Sequence, residues 1–267
     1  DTSNVVDMNQ AWRTCTSLTS FPLLDFSKVW QYNSAWNGCT SLTSFPLIDT
    51  SSATELGNAW LNCSSLTSFP LIDTSNVLNM NSAWARCSSL TSFPLLDTSK
   101  VTLMSSTWQT CSNLASFPLI DTSSCTTFGN CWIDTAITSF PALDFSSAEI
   151  ISGGFSRMPI TSFPAVSFPS LISANHAWYQ CYTLSSFPAN AFDNSKCIDY
   201  LNTFQQCALD QTSVDNILVS VALSVTNDPS LINGTLDIDL GTNATPSATG
   251  IAAKNELIAA GWTVTTN

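Results

Sequence analysis

The chain has 267 residues, 44% of them hydrophobic and only 10% charged, with a formal net charge of −12. Seven basic residues, scattered singly, give no stripe for a polyanion, which argues against a nucleic-acid partner. No apolar run is long enough to cross a membrane as a helix.

The same words recur along most of the chain. Phe-Pro begins at Phe21, Phe45, Phe69, Phe93, Phe117, Phe140, Phe163 and Phe187. An Asp stands four residues later at Asp25, Asp49, Asp73, Asp97, Asp121 and Asp144. Trp12, Trp36, Trp60, Trp84, Trp108, Trp132 and Trp178 share one register with Phe155 and Phe204. The period is 24, slipping to 23 at two repeats. Such a period reads as a solenoid. The expected fold is an α/β repeat: a right-handed leucine-rich-repeat solenoid of nine coils over 1–209, then a C-terminal α/β cap over 210–267. The chain starts at the Asp position of a repeat, Asp1, without Met, so further repeats or another domain are expected upstream.

Within a repeat, Leu18-x-x-Phe21-Pro22-Leu23 matches the pattern Leu-x-x-Leu-x-Leu. This predicts a short strand over 18–21 or 18–23 with its apolar letters inward. Pro22 cannot donate to a ladder, so it ends the strand or breaks it. Val77, Met80, Trp84 and Cys87 follow at spacings of 3, 4 and 3, a helical stripe. Asp73, Thr74 or Ser75 would cap it. Ser and Asn along it shorten the expected helix or turn it partly 3₁₀. Stacked coils would set Leu over Leu, Phe over Phe and Trp over Trp.

Seven of the ten cysteines (15, 39, 63, 87, 111, 181, 207) fall three residues after the Trp or Phe. Thr135 and Met158 replace them in two repeats, so obligatory disulfides are not expected and buried thiols are. Beyond Leu209 the repeat stops. Thr212-Ser213 predicts the cap of a helix from Val214 to about Val225, ended by Asn227-Asp228-Pro229. Thr235–Leu240 alternates like a strand, Ser247 caps a second helix to about Ala260, Gly261 stops it, and a strand closes the chain from Trp262.

Asp-Thr-Ser-Asn-Val, then Met, Trp or Phe, two residues, Cys and Ser-Ser-Leu together resemble the BspA-like leucine-rich-repeat surface proteins. The likeness covers about residues 1–209. It implies a surface protein of bacteria, protists or viruses engaged in adhesion and binding. The ending Gly-Trp-Thr-Val-Thr-Thr-Asn is similar to C-terminal caps of phage tail-fibre-like repeat proteins. This chain departs from the family pattern in having Trp where Phe is usual and Phe-Pro-Leu where Leu-Asp-Leu is usual.

Little chemistry is written into the repeats. His176 is the single histidine and occupies a slot filled elsewhere by Asn, Ser or Gln, so no nucleophile–base pair is expected, and no enzyme. No cofactor or metal site is expected. The Asp row reads as turn chemistry, with calcium as its alternative. The pairs Thr19-Ser20, Thr43-Ser44, Thr67-Ser68 and Thr91-Ser92 raise an ice- or crystal-binding alternative, and a structural spacer is a third reading.

Positions five, six, twelve and thirteen after each Asp change from repeat to repeat. They hold Val6, Trp30, Leu78 and Leu103; Gln31, Glu55 and Asn79; and Arg13, Asn37, Leu61, Arg86 and Ile133. Five and twelve are a heptad apart, so a helix would put them on one outer face. The candidate ligand-binding residues are therefore Arg13, Trp30, Gln31, Asn37, Glu55, Leu61, Leu78, Asn79, Arg86 and Leu103. The expected function is binding or adhesion to a host-surface protein or glycan, at a cell surface, in secreted form or on a virion.

Overall fold

The computed structural model describes residues 2–267; Asp1, with its place in the Asp register, lies outside them. The chain forms two compact units, Asp1–Cys125 with Cys131–Ile137, and Thr126–Asn130 with Thr138–Asn267.

Among the described residues, the helices and multi-residue strands are all found from Asp199 onward. They are β1 (Asp199–Tyr200), α1 (Gln211–Asn227), β2 (Thr235–Ile238), α2 (Ala248–Ala259) and β3 (Thr263–Thr266). This overturns the expected α/β leucine-rich-repeat solenoid with its cap. No strand forms over 18–23, no helix forms after the Asp of any repeat, and the tail is not a separate cap. Its β2 pairs in parallel with β1, which lies inside the last repeat, in a sheet ordered β1-β2-β3.

In the first unit, turns replace the helix. The N–H groups of Met80, Ser82, Trp84 and Arg86 donate to Leu103, Ser105, Thr107 and Gln109 one period on, at 2.7–3.0 Å. Those of Ala83, Ala85 and Cys87 donate three residues back, at 3.0–3.2 Å. The alternation is imposed by left-handed residues at Ser82 (φ 55°) and Arg86 (φ 62°). A helix cannot run through such residues. The same two positions are left-handed in the neighbouring repeats, at Ser34 and Gly38, Asn58 and Asn62, and Ser106 and Thr110. Met80, Ala83, Trp84 and Cys87 are buried all the same, because two successive turns present one apolar side at spacings of 3 and 4.

The expected ring columns do form. Trp12, Trp36, Trp60, Trp84, Trp108 and Trp132 lie 5.3–6.0 Å apart with planes within 10° of parallel. The Phe of each repeat meets its Trp edge-on, as Phe69 meets Trp60 and Trp84 at 4.7 and 5.0 Å. Both arrangements suit the ring quadrupoles. The indole N–H groups of Trp36, Trp60, Trp84 and Trp108 are buried without an acceptor. That is a cost the ring burial has to exceed. The thiols of Cys39, Cys63, Cys87 and Cys111 donate to the carbonyls of Trp12, Trp36, Trp60 and Trp84 at 3.1–3.2 Å. All ten cysteines carry thiols. Burial pushes Cys39 up to about 11 and Cys111 up to about 12.

The segment expected to be a strand is poorly paired. Thr43 and Thr67 donate to the Thr carbonyl one period back, at 3.1 and 3.2 Å. Then the proline intervenes. Ile48, Ile72, Leu96 and Ile120 donate to the carbonyls of Pro46, Pro70, Pro94 and Pro118 at 3.0 Å, a bond spanning two residues that marks a γ-turn. The leucine at its apex swings outward while the residue after it is buried. The inward orientation expected for the leucine of Phe-Pro-Leu is corrected accordingly. Asp73 closes the segment: its Oδ1 accepts from Ser75 N and Oγ at 2.9 and 2.7 Å. Thr74, buried, donates its hydroxyl to the Asp97 carbonyl at 2.6 Å.

The second unit has a ring column of its own, with Phe155, Trp178 and Phe204 parallel at 5.1–5.3 Å. Single parallel bridges join Thr127, Ile150, Ser173 and Asp199. The tail elements stand close to where their sequence signals lie. The cap of α1, however, is Asp210 rather than Thr212 or Ser213; its Oδ1 accepts from Ser213 N at 2.8 Å. Ser213 Oγ instead accepts from Phe187 N, tying α1 to the repeat before it. Ser247 caps α2 as its sequence signals, and Gly261 (φ 84°) follows its end. Asn243 donates to Phe204 O and Ile238 O, both at 2.9 Å, joining β2 to the last repeat.

Candidate functional site

The candidate residues fall into two groups, both in the first unit. Trp30, Gln31, Glu55, Leu78, Asn79 and Leu103 belong to two adjoining columns. Trp30 N donates to Val6 O, Thr54 N to Trp30 O, Leu78 N to Thr54 O and Thr102 N to Leu78 O, at 2.9–3.1 Å. Beside this column, parallel bridges link Asp7, Gln31, Glu55, Asn79 and Leu103. The bonds run both ways between repeats, so the backbone under these side chains is fixed. Trp30 and Leu78 are each 45% exposed. Gln31, Glu55, Asn79 and Leu103 are half-buried, and Asn79 Nδ2 donates to Glu55 Oε2 at 2.9 Å. The Trp30 column thus mixes the apolar Val6, Trp30 and Leu78 with Thr54 and Thr102, and the next mixes Asp7, Gln31, Glu55 and Asn79 with Leu103.

Arg13, Asn37, Leu61 and Arg86 lie in the turns that follow the Trp. Thr14 N and Gly38 N donate to Asn37 O and Leu61 O at 2.7 and 2.8 Å. Arg13 and Arg86 are exposed, and Asn37 and Leu61 are half-buried. The heptad relation that placed this group on one face with Trp30 does not apply, because no helix is present.

One feature escaped the sequence reading. Leu23, Leu47, Leu71, Leu95 and Leu119 occupy one position in five successive repeats and are 61–72% exposed. The signal was the leucine directly after a proline, which the pattern Leu-x-x-Leu-x-Leu assigns to the core.

The other candidates resolve locally. Thr43 Oγ1 and Thr67 Oγ1 donate to the Thr19 and Thr43 carbonyls at 3.2 Å, so these hydroxyls serve the chain. The carboxyls of Asp25, Asp73, Asp97 and Asp121 accept from the Ser two residues on, and those bonds hold them below the usual range. Among the described residues no group of three His, Cys, Asp or Glu could hold a metal ion. His176 is half-buried, with Asn175 Oδ1 on one ring nitrogen and Asn202 Nδ2 on the other. In the second unit a groove of about 550 Å³ between α1 and α2 is lined by Val219, Leu223, Thr226, Ala252 and Glu256 among others. Glu256 is its one ionisable group. No protein-family model, curated protein or solved structure matches the chain.

Proposed function

We propose that the chain is a non-enzymatic binding or adhesion module, carried on a cell surface, in a secreted assembly or on a virion, whose partner is a host-surface protein or glycan. One observation carries this reading: the Trp30 column changes its letters from repeat to repeat on a backbone that does not change. Val6, Trp30, Thr54, Leu78 and Thr102 are joined by the same hydrogen bond, yet differ in size and polarity. A rigid frame with varied exposed side chains suits recognition, and exposed Trp is a common anchor at interfaces. The family resemblance points the same way. The ice- or crystal-binding alternative draws less support, because the Thr hydroxyls it needs are bonded to backbone carbonyls.

Glycan arrays and binding to intact cells test the proposal, using the wild-type chain against Trp30→Ala and Leu78→Ala. Binding that falls at least ~10-fold in either variant, with unchanged circular dichroism, is the expected result. A wild-type chain blank on both would leave a structural spacer as the better reading.

A further inference from the structure

The leucine row calls for a partner of its own. Each of Leu47, Leu71, Leu95 and Leu119 sits at the apex of a γ-turn closed by the next residue, so its exposure is built into the backbone. With Leu23, exposed at the same position, the five leucines expose on the order of several hundred Å² of apolar surface, the scale at which a patch marks an interaction site. The flanks are as regular as the row. Ser20, Ser44, Ser68, Ser92 and Ser116 are exposed on one side, and Asp25, Asp49, Asp73, Asp97 and Asp121 on the other.

Its period selects the occupant. Successive repeats lie 5.3–6.0 Å apart at their indole rings. A second copy of this row has the same spacing, so five leucines can meet five leucines without accumulating mismatch. Charge then selects the direction. A two-fold axis running along the row sets the Asp row of one copy against the Ser row of the other, hydroxyl donors against carboxylates. An axis across the row sets Asp against Asp, which repels. We infer that two copies of this chain pair through the leucine row in parallel register, Leu71 against Leu71, with each Ser row facing the partner's Asp row. The inference is independent of the proposed ligand, which uses the Trp30 column.

Sedimentation velocity of the full chain over a range of concentrations tests it. Dimers are expected for the wild type and for the control Leu78→Glu, and monomers for the double variant Leu71→Glu, Leu95→Glu with its near-ultraviolet circular dichroism intact. A wild-type chain that stays monomeric overturns the inference, including the case in which vesicles or a foreign protein cover the leucines instead. So does a double variant that still dimerises. Register is read by oxidising Leu23→Cys in a Cys15→Ser background. A disulfide dimer of this variant with itself is expected. Cross-linking only with Leu119→Cys overturns the parallel arrangement.

Discussion

The repeats of the first unit and the helical tail of the second solve one problem in opposite ways. In α1 and α2 the backbone satisfies itself within each helix, and Asp210 and Ser247 close the ends. In the repeats, half of the N–H groups between Met80 and Cys87 find their acceptors only in the next repeat. A helix carries its order with it, whereas a turn of this kind holds its shape only against a neighbour. Losses in the repeats should therefore spread along the column, and losses in the tail should stay local.

Trp84→Ala is the strongest way to break the first mode. Removing a buried indole that touches Trp60, Trp108, Phe69 and Phe93 should cost about 3–5 kcal/mol. Urea unfolding should show the loss, and hydrogen exchange should show faster opening of the repeats on both sides of it. Asp210→Ala probes the second mode. Losing the cap of α1 should cost about 1 kcal/mol, with exchange quickened in the first turn of α1 alone.

Acid gives a smaller, distributed effect on the repeats. The carboxyls of Asp73, Asp97 and Asp121 are depressed in the folded chain by the bonds from their Ser partners. Their contribution is present above the unfolded carboxylate value of about 3.9 and is lost as pH falls through the lower folded values. Urea midpoints should hold at pH 5 and decline below about pH 4. Asp73→Asn should flatten part of that decline. The mildest prediction contrasts adjacent residues. At concentrations where the chain is a monomer, Leu71→Ser should change stability by less than about 0.5 kcal/mol, while Ile72→Ala should cost about 2–4 kcal/mol.

That last pair shows where the sequence could be read and where it could not. The columns of Trp, Phe and Cys, the Asp turns and the tail elements were legible, because repetition exposes buried letters and Asp, Ser and Gly announce their local bonds. The helix was misread because spacings of 3 and 4 fit two turns as well as one helix. The residues that decide between them, Ser82 and Arg86, look like ordinary solvent-facing polar letters. Only their positive φ separates the cases. Leu71 was misread because a Leu after Pro looks like core, and the bond from Ile72 to Pro70 that turns it outward is a matter of geometry. Of the candidate site, Trp30 and its neighbours were found together, while the link to Arg13 and Arg86 rested on a helix that is not there.

The indole column has an optical consequence. Chromophores this close and this nearly parallel share their excited states instead of absorbing singly. The folded chain should carry a coupled signal in near-ultraviolet circular dichroism, and light absorbed at one ring should migrate along the column before it is emitted. The register of the repeats can then be followed in solution without any label, since a slipped or missing ring interrupts the migration at that point.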